Sequence, residues 1–241
     1  RYHFGLQRAV EWARRLGLPL VVLEALRAGY PWASDRLHRF VIDGMADNAR
    51  RFAAARVLYH PYVEPEVGAG KGLLQALAAR AAVVVTDDFP CFFLPRMVSS
   101  AARQIDVLLE QVDSNGLLPL RAADRVHVTA RGFRSFLQRE LHPHLEAWPA
   151  ADPLKGADLP PLAALPPAIT RRWPAAPAAL LEGDAAALRA LPIDHGVPPV
   201  SFAGGPEAAE RAAARFLDHA LDRYPDERDD PDAGVESHLS P

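Results

Sequence analysis

Ala82-Val83-Val84-Val85-Thr86 is the stretch on which the fold turns. A run of β-branched residues with no polar alternation describes a strand covered on both faces, as in a parallel sheet with helices on either side. Working outward, 72–80 reads as a helix before it and 94–103 as a helix after it. Ile105 to Val112 is the next and last strand. Further upstream lies the strand-like run Arg56-Val57-Leu58-Tyr59-His60. It follows a long helix that Ser34 or Asp35 can cap, whose turns are marked by Leu37, Phe40, Val41, Met45 and Asn48 through Phe52. The run from Leu18 to Ala25 is a further short apolar strand. Residues 3–16 place Leu6, Ala9, Val10, Ala13 and Leu16 at the three-four spacing of an amphipathic helix.

Short apolar strands alternating with helices make βαβ units, so the expected fold class is α/β, a doubly wound parallel sheet. Each right-handed crossover needs a strand on either side of its helix. The opening helix lacks one, so a first, central strand upstream of Arg1 is expected.

The chain has 241 residues, 49% of them hydrophobic and 24% charged, enough for one sizeable core or two small ones. No apolar run reaches the roughly 20 residues that span a bilayer, and no membrane partner is expected. One cysteine, Cys91, excludes an internal disulfide framework and fits a reducing cytoplasm. The net charge of −3 carries no overall footprint for nucleic acid, so any DNA-binding face is local or lies elsewhere.

Residues 130–148 read as helical, with Phe133, Phe136, Leu137, Leu141 and Leu145 on one side. After Trp148 the composition turns to Pro and Ala. Pro160-Pro161, Pro166-Pro167, Pro174, Pro177 and Pro198-Pro199 mark a long connector draped over a surface, with one short helical piece near 185–190. Gly204-Gly205-Pro206 then opens a helix whose stripe is Ala208, Ala212, Phe216, Ala220 and Tyr224. This gives three segments, 1–149, 150–203 and 204–241.

Gly68-Ala69-Gly70-Lys71-Gly72 has the backbone amides and lysine of a phosphate loop, but Pro65 stands where the first glycine belongs and Gly72 where a hydroxyl would hold Mg²⁺. It reads as a flexible entry to the next helix. Asp87 and Asp88 follow the buried strand, where parallel sheets bind ligands. The competing reading is that Asp88 caps the following helix and Asp87 faces solvent. Asp113-Ser114-Asn115-Gly116 occupies the same position after the last strand and is equally a turn. His142 and His144 flank Pro143 and make a poor metal pair, and no metal site is expected. Trp12, Trp32, Trp148 and Trp173 read as core or interdomain packing. No catalytic residue is identifiable. Near the end, Glu236-Ser237-His238-Leu239-Ser240 offers two hydroxyls and successive amides, the donors a pyrophosphate needs.

The segment from Tyr224 through Arg228, Asp229 and Pro231 to Ser237-His238-Leu239-Ser240-Pro241 resembles the Y…R-[DN]-x-P…S-x-L-S-P stretch of the DNA photolyase/cryptochrome family. Gly204-Gly205 is similar to the start of that family's flavin domain. Phe4 to Ala13 with Pro19-Leu20-Val21-Val22 resembles its first helix and second strand. The pairing of Val85-Thr86-Asp87-Asp88-Phe89 with Gln111-Val112-Asp113-Ser114-Asn115 and Leu118-Pro119 resembles class II members in particular.

The resemblance implies a Rossmann-like antenna domain over 1–149, a connector over 150–203, and the beginning of an all-α FAD-binding domain over 204–241. It implies FAD held by Tyr224, Ser237, His238, Leu239 and Ser240, and an antenna chromophore such as a folate or deazaflavin, with Asp87, Asp88 and Asn115 as contacts. The implied reaction is that of a carbon–carbon lyase: light-driven repair of cyclobutane pyrimidine dimers by electron transfer from reduced FAD. Damaged DNA would be bound by a further C-terminal domain, and the protein would be monomeric. On this reading the chain is a piece of that enzyme and by itself neither holds FAD tightly nor repairs DNA. The alternatives are a cryptochrome-like blue-light sensor and a plain nucleotide-binding α/β module. A structural interaction domain is disfavoured because the prolines form no sustained P-x-x-P repeat.

Overall fold

The structure is a computed structural model that describes residues 2–235. Its elements in chain order are α1 (Phe4–Leu16), β1 (Val21–Leu26), α2 (Asp35–Ala54), β2 (Leu58–Val63), α3 (Leu73–Ala78), β3 (Val83–Asp87), α4 (Leu94–Ala102), β4 (Leu108–Val112), α5 (Ala130–Glu140), α6 (Pro167–Arg172), α7 (Ala178–Leu181), α8 (Ala185–Arg189), α9 (Pro206–His219) and α10 (Tyr224–Glu227). The chain is therefore α/β. Among the described residues the strands form two two-stranded sheets, β1 with β2 and β3 with β4, where a continuous doubly wound sheet was expected. The contacts gather into two compact units, one of Arg1–Val21 and Lys71–Ile169, the other of Val22–Gly70 and Thr170–Pro241. These units cut across the three sequence segments.

In the first unit β3 pairs parallel with β4, from Val83 opposite Leu108 to Asp87 opposite Val112. The crossover between them carries α4, as parallel pairing demands. One face of the pair is packed by α1, which buries Val10 and Ala13. Burying Val10 stabilises by about 1.5–2 kcal/mol. Helix α1 starts where His3 Nδ1 accepts the Leu6 N–H and stops at Gly17, whose φ of 64° only glycine adopts freely. Arg14 and Arg15 complement the carbonyl end. Val83 to Thr86 are half-buried rather than fully covered. In the described residues β3 has a strand on one side only, and none of the α4 side chains is buried. The 150–157 stretch lies against α1: the Tyr2 N–H donates to the Ala150 carbonyl, and Arg14 donates to the Gly156 and Ala157 carbonyls.

In the second unit α2 crosses between β1 and β2. Ser34 occupies its N-cap position without a side-chain hydrogen bond. Asn48 on α2 and Tyr59 on β2 both donate to Glu24 Oε2 on β1, which pins the helix over the strands. Burial, and then the Glu24 hydrogen bond, push the Tyr59 hydroxyl far above its ordinary pKa. The core is Ile42, Met45 and Val63 packed with Ala176, Leu180, Leu188 and Leu191.

Four of those seven core residues come from the proline-rich stretch, which contains α6, α7 and α8 where one helical piece was expected. Its prolines start helical turns: Pro167 opens α6 and Pro177 is the N-cap residue of α7. The leucines between them face inward, so this stretch builds part of the core as well as covering it. Pairing of Ser34 with Asp194, and the Ala176 N–H on the Pro61 carbonyl, hold it in place.

Three further expectations change. The helix opened by Gly204-Gly205 ends at His219, and α10 is a separate turn, so the stripe to Tyr224 bridges a break. The 130–148 region is helical to Glu140, after which Pro143 permits only a short 3₁₀ turn over His142–His144. Of the tryptophans only Trp173 is buried; Trp32 and Trp148 are 74% and 62% exposed. Trp12 lies between the guanidinium groups of Arg8 and Arg15, 4.9 and 5.4 Å from its ring. No helix among the described residues is long and apolar enough to cross a membrane.

Candidate functional site

The parallel register brings Asp87, Asp88 and the Asp113–Asn115 turn together at the carboxyl ends of β3 and β4. The Asp88 N–H extends the ladder by donating to the Val112 carbonyl, and Asn115 Nδ2 donates to the Asp88 carbonyl at 2.6 Å. Asp88 does not cap α4, whose N-cap residue is Phe93. Its carboxylate pairs with Arg121 at 2.6 Å and accepts from Gln111. Asp113 Oδ1 accepts from the backbone and side chain of Asn115, and Oδ2 from the Leu120 N–H. Burial raises the Asp113 carboxyl, but the Asn115 and Leu120 hydrogen bonds, helped by Arg121, outweigh it and hold the pKa below the ordinary range.

Asp87 is different. Half-exposed, it has His3 Nε2 at 3.4 Å. Beside it the amide of Gly5, in the first turn of α1, donates to Ser114 Oγ. A side chain at residue 5 would begin 3.0 Å from Asp87 Oδ1, so glycine allows the helix start to approach the strand end. Next to this cluster lies a cleft of about 280 Å³ lined by Phe4, Val112, Asp113, Gly116, Leu117, Pro119, His144 and Ala147. Its walls are largely apolar, with Asp113 and His144 among them. The Asp88 and Asp113 carboxylates face internal donors and position the turn, while Asp87 stays half-exposed beside His3.

Arg121 was missed by sequence reading. It lies 33 residues from its partner, and only the parallel register makes them neighbours.

The glycine loop 68–72 has an internal anion. Glu64 is buried at 3% exposure; its Oε1 accepts from the Gly68 and Gly70 N–H groups and its Oε2 from the Ala28 N–H. The amides that made the loop resemble a phosphate cradle are bound to this carboxylate. A flexible entry is therefore not what is observed: the loop is pinned, and the Trp173 indole also donates to the Ala69 carbonyl.

Gly204-Gly205 seat the start of α9 directly on α2. A Cβ at Gly204 would lie 2.0 Å from the Phe40 carbonyl oxygen, and one at Gly205 would lie 2.6 Å from Asp47 Oδ2. Asp43 accepts the Gly204 N–H and Asp47 the Glu207 N–H, so carboxylates one turn apart on α2 satisfy the open amides of α9. Arg39 and Arg50 flank these carboxylates. Tyr224 sits half-buried at the first turn of α10, its ring edge-on to Phe216 at 5.4 Å. Ser237, His238, Leu239 and Ser240 lie outside the described residues.

The chain is thus an α/β protein with a polar cluster at the ends of β3 and β4 and a helix seated through paired glycines. No family model matches the chain. Over 144 residues, 58% of its length, it is 30% identical to the deoxyribodipyrimidine photo-lyase of Methanothermobacter thermautotrophicus. The matched stretch spans 31% of that relative's length.

Proposed function

We propose that this chain is the antenna-side part of a photolyase-like flavoprotein, closest to class II members, which repairs cyclobutane pyrimidine dimers in DNA with light and reduced FAD. The observation that carries this reading is the 30% identity to a photolyase over 144 residues. In the proposal the strands belong to one doubly wound sheet, and 1–149, 150–203 and 204–241 are antenna domain, connector and opening of the FAD domain. The protein is placed in the cytoplasm as a monomer.

FAD would be held by Tyr224, Ser237, His238, Leu239 and Ser240. The residue types fit: two hydroxyls and successive amides for a pyrophosphate, and an aromatic ring at Tyr224. The acidic residues between them are in part engaged locally, Glu227 with Arg223 and Asp230 with the Asp232 N–H. When bound, FAD would supply the photochemistry, and the residues of this chain would bind and orient it. The cleft beside Asp113 and His144 is the proposed seat of an antenna chromophore, with Asp87, Asp88 and Asn115 fixing its rim.

The test is repair of a dimer-containing oligonucleotide by the protein bearing this chain, in blue light and in darkness, with flavin content measured alongside. Light-dependent repair that falls with flavin occupancy in Ser237→Ala/Ser240→Ala is expected. Repair in darkness, or unchanged flavin retention in the double variant, rejects the reading.

A further inference from the structure

We propose that the solvent face of α5 is a contact surface for the phosphate backbone of duplex nucleic acid. The chain as a whole has a net charge of −3, yet the 15 residues 125–139 contain Arg125, Arg131, Arg134 and Arg139 and no acidic residue. Such a run is most simply a solvated loop or helix face, and its geometry argues for more. Thr129 caps α5 by accepting the Gly132 N–H, which fixes where the helix begins and hence which side each arginine occupies.

Phe136 is buried and Leu137 and Glu140 are half-buried, so this side of α5 packs on the protein, although Phe133 on the same side is 46% exposed. At 3.6 residues per turn Arg131, Arg134 and Arg139 fall on the opposite side together with Ser135 and Gln138. All five are exposed. Arg131 and Arg134, one turn apart, have no acidic partner among the described residues. Arg139 is shared with Glu140 and lies 5.9 Å from the Phe136 ring.

Arg131, Arg134 and Gln138 spread along one helix face match an extended polyanion better than a single anion, while the Ser135 hydroxyl already donates to the Arg131 carbonyl. A lone anion would be gripped by converging donors, and these are spread along one face. The contact is sequence-independent, because nothing here is shaped to read base edges. The inference rests on the photolyase reading only for the choice of nucleic acid as the polyanion.

The test is fluorescence anisotropy of a labelled, undamaged 20-base-pair duplex with the 241-residue chain, in the dark, from 25 to 200 mM salt. Each phosphate neutralised contributes about 0.9 to the slope of log affinity against log salt. Arg131→Gln/Arg134→Gln, checked for folding by circular dichroism, is expected to lower that slope by about 1.8. Between 50 and 200 mM salt the unaltered chain then loses roughly 10-fold more affinity than the variant. Arg211→Gln/Arg215→Gln, equal in charge change but on α9, is expected to leave the slope within about 0.5 of the unaltered value. An unchanged slope in the α5 variant, an equal fall in the α9 control, or competition by polyglutamate as effective as by duplex overturns the proposal. Neither flavin nor light enters this experiment, so a failure of the repair chemistry leaves its outcome intact, and the reverse also holds.

Discussion

Replacing Glu64 by glutamine tests whether the 64–70 loop is held by an internal anion. The side chain keeps its size, so packing at this buried position is preserved and the hydrogen bonds alone change. Glutamine can present its one oxygen to the Gly68 and Gly70 amides, now as a neutral acceptor. Hydrogen bonds to a charged group contribute about 1.5–3 kcal/mol and neutral ones about 0.5–1.5, so these two weaken by roughly 1 kcal/mol each. The amide nitrogen then meets the Ala28 N–H, donor against donor, at a further cost of about 1–3 kcal/mol. Removing a buried charge recovers part of the sum.

The net expectation is about 3 kcal/mol, or roughly 6–12 °C in Tm for a chain of this size. Because the contacts form two compact units, one melting curve is not enough. Hydrogen exchange supplies the local readout: the Gly68, Gly70 and Ala28 amides lose protection in Glu64→Gln, while amides of β3 and β4 keep theirs. A Tm within about 2 °C of the unaltered chain, with protection at Gly68 and Gly70 unchanged, would refute the argument.

Gly204→Ala forces a methyl group into the Phe40 carbonyl, and the cost is expected at about 3 kcal/mol in urea unfolding, with α9 losing its exchange protection first. Tyr59→Phe removes one of two hydrogen bonds to Glu24 and is expected to cost about 1–2 kcal/mol by the same measurement. His38 and His60 are held below the ordinary histidine pKa chiefly by burial, so their neutral forms belong to the folded state. Their contribution is whole above an unfolded pKa of about 6.5 and is lost as pH falls toward the folded values. Urea midpoints are expected to drop between pH 7.5 and 5.5, and His38→Gln/His60→Gln to flatten that dependence. Glu110, held down by Arg8 and then Trp12, has the same sign lower on the scale: its share is present above a pKa of about 4.3 and disappears below it. The drop below pH 4 is expected to shrink in Glu110→Gln.

Local order was legible wherever a periodic apolar pattern met a recognisable stop. Helix α1 was visible because its spacing ends at Gly17, and β3 because no polar residue interrupts Val83 to Val85. Pairing was less so. The neighbourhood of Asp88, Asn115 and Asp113 followed from the parallel rule, but Arg121 has no local signal: its partner lies a whole crossover away. The same holds for Glu64, one carboxylate in an ordinary run, whose role depends on Ala28 in the loop that follows the neighbouring strand β1.

The proline-rich stretch was legible only in part, for a different physical reason. Pro and Ala dominate its composition and suggest a chain that runs along a surface, yet a core needs only a few large apolar side chains at the right intervals. Leu180, Leu188 and Leu191 are those intervals, each delivered by a short turn that a proline or an Asp184 cap begins. Helices α6 and α7 are too short to show periodicity, so neither spacing nor composition announces them, whereas α8 matches the helical piece expected near 185–190. They hold because Ile42, Met45 and Val63 present an apolar surface that would otherwise face water. Order in this stretch is therefore a tertiary property. Trimming Leu180 to alanine is accordingly expected to release α7 and α8 together, and not to weaken one of them alone.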